Sequence, residues 1–137
     1  SKEYKRIPDP DYFLKGREFL KSPVKKIIYV KMKPLDALIA GFDALAGLSM
    51  INPPGHSVAA LDRQQFDAQE IEIVKNIDLI KDTQLVELQL WDYDPKLFSN
   101  DSYVDLMSLY VSLKEETDER VEQALEEVLR GEPWYKD

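Results

Sequence analysis

Hydrophobic and polar positions alternate most cleanly over Leu85 to Tyr93. There Val86, Leu88 and Leu90 point one way and Glu87, Gln89, Trp91 and Tyr93 the other, which predicts a strand that Asp94-Pro95 closes. Lys25 to Met32 is rich in β-branched and aromatic residues and reads as an earlier strand. Ser57 to Leu61 is a short apolar run with the same reading, and Glu70-Ile71-Glu72-Ile73-Val74 alternates as a strand exposed on one face would. Helical spacing appears in four places. Tyr12 to Leu20 has apolar residues at 12, 13, 14, 19 and 20, and Ser22-Pro23 stops it. Pro34 opens a second helix to about Leu48, with Leu35, Leu38, Ile39, Phe42, Leu45 and Ala46 on its stripe. Val104 to Leu113, capped by Asp101 or Ser102, is a third. The fourth, capped by Thr117 or Asp118, carries Val121, Ala124, Leu125, Val128 and Leu129 on one face and ends at Gly131 and Pro133.

Between these elements lie breakers. Ile7-Pro8-Asp9-Pro10-Asp11 can continue neither helix nor strand, because each proline fixes φ and removes a donor. Residues 1–11 are therefore expected to be a connector and residues 12–137 one domain. Asn52-Pro53-Pro54-Gly55 reads as a loop. Asp62 is placed to cap a helical turn running through Asp67. Strands and helices are partly segregated, which predicts an α+β fold with a small, mainly antiparallel sheet and two C-terminal helices. Gly41 and Gly47 fall in or at the end of a slim, alanine-rich helix, where close packing is the expected reason for glycine. Trp134 and Tyr135 are large enough to fold back as an apolar lid.

Composition narrows the chemistry. The 137 residues hold 18 Lys+Arg against 26 Asp+Glu, a formal charge of −8, and the charge is uneven. Residues 1–33 carry ten bases and four acids, net +6, whereas residues 34–137 carry 8 bases and 22 acids, net −14. The basic lead-in could touch phosphate, but the acidic remainder would be repelled by it, so a free-standing DNA binder is not expected. Zero cysteines exclude disulfides, thiolate zinc sites, iron–sulfur clusters and cysteine nucleophiles. The single histidine, His56, excludes any site that needs two. No stretch is long and apolar enough for a membrane span and no secretory leader opens the chain, so a cytoplasmic location and no membrane partner are expected.

Few residues suggest catalysis. His56 in its Pro-Pro-Gly-His loop has no serine or cysteine motif beside it and is expected to be a loop residue without a chemical role. The sharper enzymatic alternative is a small metal-dependent nuclease or nucleotidyl-handling enzyme using Glu87, Gln89, Asp92 and Asp94. An acid-x-amide pair on a strand, with Asp92 and Asp94 two residues apart if the strand persists, could contribute to an Mg²⁺ site. That site would still need an acid from a neighbouring strand and, normally, a lysine that this strand lacks. No Gly-rich phosphate loop occurs, and no catalytic, cofactor or metal residues are assigned.

Several stretches are familiar as a series: Ser22-Pro23-Val24-Lys25-Lys26, then Ala44-Leu45-Ala46-Gly47-Leu48-Ser49-Met50, then Trp91-Asp92-Tyr93-Asp94-Pro95. Val104-Asp105-Leu106-Met107-Ser108-Leu109-Tyr110-Val111-Ser112-Leu113 and Asp118-Glu119-Arg120-Val121-Glu122 complete it. The series spans about residues 12–135 and resembles the C-terminal domain of a family of bacterial MarR-like winged-helix transcriptional regulators. These are similar in layout to antitoxin-regulators of abortive-infection type IV toxin–antitoxin systems. One departure is Leu106, where such proteins usually carry proline. The resemblance implies a non-enzymatic sensor or protein-interaction domain, with DNA reached through a winged helix-turn-helix that precedes this region and is not seen in the chain. A cognate toxin, or self-association, is the implied protein contact.

Overall fold

The computed structural model describes residues 21–49, 51–53, 55–114 and 118–135. The sequence-predicted connector at 7–11 and helix at 12–20 lie outside these residues.

Four strands, β1 (Val24–Lys31), β2 (Leu38–Ile39), β3 (Ser57–Asp62) and β4 (Leu85–Trp91), form one mixed sheet in the order β1-β4-β3-β2. β1 runs antiparallel to β4 and β2 antiparallel to β3, while β3 and β4 pair in parallel. The fold is α+β and the sheet mainly antiparallel, as the segregation of elements predicts. A parallel pair requires a crossover. Here it runs through α2 (Arg63–Ala68) and the irregular segment up to Gln84.

Alternation along each strand divides the core in two. Val86, Leu88 and Leu90 of β4 join Ile28, Val30 and Leu61 on one face, with Phe66 of α2 and Ile71 packed against them. On the other face Trp91, Val58 and Ala60 lie under α1 (Gly41–Leu48), α3 (Leu106–Leu113) and α4 (Glu119–Leu129) through Ala44, Leu45, Leu109, Leu113, Val121, Ala124 and Leu125. Trp134, 5% exposed, closes the end of α4 against Leu129, as its size predicts.

Three predictions need correction. The helix expected from Pro34 begins only at Gly41. Leu38 and Ile39 extend instead because they pair with Ala60 and Ala59, and Gly41 at φ +56 cannot continue a right-handed helix backwards. The strand expected at Glu70 to Val74 contributes one bridge, Ile73 to Val30, and the Val74 amide donates to the Tyr29 carbonyl at 2.7 Å. The chain then bends and enters a 3-10 turn at Ile77–Leu79, so its alternation never gains a full partner. The cap of α3 is Asp105, which accepts from the Ser108 amide at 3.0 Å, whereas Asp101 accepts from the Tyr103 amide. Leu106 is thus the first helical residue, the position proline tolerates best.

Asp62 caps α2 as predicted, in a reciprocal box: its carboxylate accepts from the Gln65 amide at 2.8 Å while the Gln65 side chain accepts from the Asp62 amide at 3.0 Å. Asp118 caps α4. Its carboxyl is held below the ordinary carboxylate range, chiefly by a hydrogen bond from Arg120.

Candidate functional site

The Trp-Asp-Tyr-Asp-Pro stretch is a joint. β4 ends at Trp91, so the strand does not persist to set Asp92 and Asp94 side by side. Trp91 is 3% exposed, its indole donates to Gln89 Oε1 at 3.0 Å, and its ring meets Tyr93 edge to face. The Tyr93 hydroxyl shares a 2.6 Å hydrogen bond with Ser108 Oγ on α3. Asp94 caps the 3-10 turn Pro95–Leu97 by accepting from the Lys96 amide at 2.9 Å, and the same oxygen accepts from Gln65 Nε2 at 2.8 Å. It therefore braces the exit of β4 against the first turn of α2. Asp92 is exposed, with Lys25 Nζ at 3.6 Å.

Burial pushes the Tyr93 phenol above its ordinary value of 10.0; the Asp105 and Asp92 carboxylates add to this and the Ser108 hydrogen bond opposes it. A raised folded-state value means that the native state keeps this proton at pH values where the unfolded chain releases it. The stability tied to the neutral phenol is thus intact below about pH 10, the unfolded value, and is lost as pH rises through the folded one. Tyr93→Phe should cost about 1 kcal/mol at neutral pH by losing one hydrogen bond. It should also flatten part of the alkaline decline, read as urea midpoints across pH for both proteins.

Glu87 and Gln89 are not the outward-facing polar positions that their alternation suggests. Both sit on the sheet face that carries α1, α3 and α4, and Gln89 is 6% exposed beneath the start of α1. Its amide is tolerated there because Trp91 donates to it. Glu87 lies opposite Tyr29 in the β1–β4 register and Val58 in the β3–β4 register. It receives His56, whose Nε2 is 3.0 Å from Glu87 Oε1, with side chains 26% and 21% exposed. The imidazole meets Tyr29 edge to face at 6.2 Å. Burial, and then the Glu87 charge, hold the Tyr29 phenol above its ordinary value. His56 is therefore not a bare loop residue: it fastens the segment entering β3 to the middle of the sheet. Sequence distance hid the pair, since nothing local links positions 56 and 87.

In this cluster a carboxylate fixes the orientation of one ring nitrogen. Nucleophilic catalysis would need a hydroxyl beside it, and among the described residues the imidazole makes no hydrogen bond to a serine or threonine. The four residues of the enzymatic alternative are engaged separately: Glu87 by His56, Gln89 by Trp91, Asp92 by Lys25 and Asp94 by Gln65 and the Lys96 amide. No group of three or more His, Asp and Glu side chains that could hold a metal occurs among the described residues. A shallow hollow of about 210 Å³, lined by Ile39, Asp43, Ala46, Gly47, Pro53 and Tyr103, lies beside α1. It is smaller than most small-molecule sites. Gly47 admits Tyr103 there, since a methyl at that position would fall on the tyrosine ring.

Comparison with protein families, with curated proteins and with solved structures finds no match for this chain. No helix among the described residues is long and apolar enough to cross a membrane.

Proposed function

We propose that this chain is a non-enzymatic regulatory domain, acting through protein contacts, of a DNA-binding transcriptional regulator of the MarR-like winged-helix kind. The observation that carries the reading is where the motif residues are used. Trp91, Tyr93 and Asp94, with Asp105, Ser108, Leu109 and Leu113 of the next motif, knit β4 to α3 and to the turn behind it. The Trp-Asp-Tyr-Asp-Pro stretch and the helix motif that follows it thus form one architectural unit, which Tyr93, Asp94 and Ser108 hold with their polar atoms, while the buried Oδ1 of Asp105 has no hydrogen-bond partner among the described residues. A domain of this kind is cytoplasmic, binds no cofactor, and meets DNA only through the winged helix attached to it. Its protein contact is a cognate toxin or a second copy.

Charge sets the first expectation. With net −14 over residues 34–137, this chain alone should bind duplex DNA weakly or not at all near physiological salt. A sequence-specific complex at nanomolar protein in a gel-shift assay would refute that. The regulatory reading is tested by joining the chain to a winged-helix reader of known operator and measuring repression of a reporter. Repression that changes relative to the reader alone supports it; repression indistinguishable from the reader alone overturns it.

A further inference from the structure

The two edges of the sheet are finished differently. The outer edge of β2 is closed by its own chain: the Ile39 amide donates to the Ser102 carbonyl at 2.8 Å and the Val104 amide to the Ile39 carbonyl at 3.0 Å. At β1, the opposite edge, only the Ile73–Val30 bridge and the Val74-to-Tyr29 bond are made among the described residues. The Met32 amide donates to Gln84 beside β4. By alternation Val30 and Ile28 then address β4, while Tyr29 and Ile27 face outward; the Tyr29 carbonyl is taken by the Val74 amide, and Ile27 presents its amide and carbonyl to the open edge. Beyond Val74 the neighbouring segment bends away, so the edge from Ile28 back to Lys26 stands without a strand beside it among the described residues, and a register shift between Val24 and Lys26 ends its regular ladder there. Ile27 is 48% exposed there, and Lys25, Lys26, Lys31 and Lys33 are all exposed along the same strand and its exit.

We propose that the outer edge of β1 accepts an extended acidic segment of a partner protein, in which acids alternate with β-branched residues, as a fifth strand. Three observations select that occupant. The lysines form a basic strip on a protein that is otherwise strongly acidic, and charge complementarity steers and registers such a contact. The protein's own contribution to this edge has the stated chemistry: Glu70-Ile71-Glu72-Ile73-Val74 is acidic and alternating, and Lys33 Nζ donates to the Glu70 carbonyl at 3.5 Å. A second copy suits the edge poorly, because antiparallel β1 against β1 would set lysines against lysines, and like charges across a strand pair are destabilising. Main-chain hydrogen bonds would supply affinity and the lysines the preference for acids. The proposal does not depend on the domain belonging to a DNA-binding regulator.

The probe is a labelled synthetic peptide, Glu-Val-Glu-Ile-Glu-Val, titrated by fluorescence polarisation against the whole chain, beside the same peptide with lysine for glutamate. Two variants are used. Ile27→Pro removes an outward amide that β4 does not use, a place where an edge strand tolerates proline. The double variant Lys25→Glu, Lys26→Glu reverses the charge. The expected result is saturable binding of the acidic peptide only, weakened by at least about tenfold in Ile27→Pro and transferred toward the basic peptide in the charge-reversed protein. Urea midpoints report whether each variant folds; if the proline variant does not, the acidic peptide methylated on alternate backbone nitrogens takes its place, and undiminished binding of that peptide overturns the proposal. Absence of saturable binding overturns the proposal and leaves the lysines as guards of an idle edge. Binding that falls with charge reversal but not in a folded Ile27→Pro is surface attraction without strand addition, and also overturns it. Self-association of the natural chain abolished by Ile27→Pro would give the edge to a second copy and overturn the proposal in the same way.

Discussion

Trp91→Ala will lower stability by about 3–5 kcal/mol, the usual range for removing a buried large aromatic. The indole touches both ends of the joint: it lies in the core shared with Leu109, Leu113, Val121 and Leu125, and it holds the Gln89 amide. Alanine leaves a cavity under α3 and α4 and an amide oxygen without its donor, and two such losses reinforce each other. Urea denaturation should show the midpoint falling with the slope little changed. A midpoint that stays in place would mean that this side chain serves a surface and not the core. Asp94→Ala should cost about 1–2 kcal/mol, since it removes a turn cap and the brace to Gln65 without opening a void.

Gly41→Ala is the second large effect, expected at about 2–4 kcal/mol. Its φ of +56 lies in the left-handed region, which costs a side-chain-bearing residue about 1–2 kcal/mol. A Cβ there would also stand 3.0 Å from Val58 Cγ1 and 3.2 Å from Gln89 Nε2, and overpacking of a tight core adds about 1–3 kcal/mol. The second contact makes the result informative. Pushing the Gln89 amide aside disturbs its bond from Trp91, so Gly41→Ala and Trp91→Ala should be less than additive in a double-mutant cycle. Strict additivity would show that the amide has room to yield.

Much of this was legible in the chain, for reasons specific to each element. β1, β3 and β4 announce themselves through β-branched runs and alternation, and α4 through a stripe that needs only a sheet to lie on. The short strand Leu38–Ile39 was hidden because its residues also fit a helical stripe, and the left-handed glycine that separates the two is visible only in the backbone. Glu70 to Val74 misled in the opposite direction: its alternation is real, but a strand needs a neighbour, and the chain leaves β1 after one bridge. Of the candidate site, the end of the strand at Asp94-Pro95 follows from local chemistry. The His56–Glu87 pair does not, because residues 31 positions apart meet only after β3 and β4 are side by side.

That parallel pairing also sets an order of events. β4 is an inner strand with β1 on one side and β3 on the other, and both precede it in the chain. Only β2 and β3 can pair before Leu85–Trp91 is available. On a ribosome β1 must wait, with its lysines in water, until most of the domain has emerged. The sheet then closes by contacts distant in sequence, for which loop-closure entropy comes due first. The arrival of β4 between its two neighbours is therefore the step that completes the sheet.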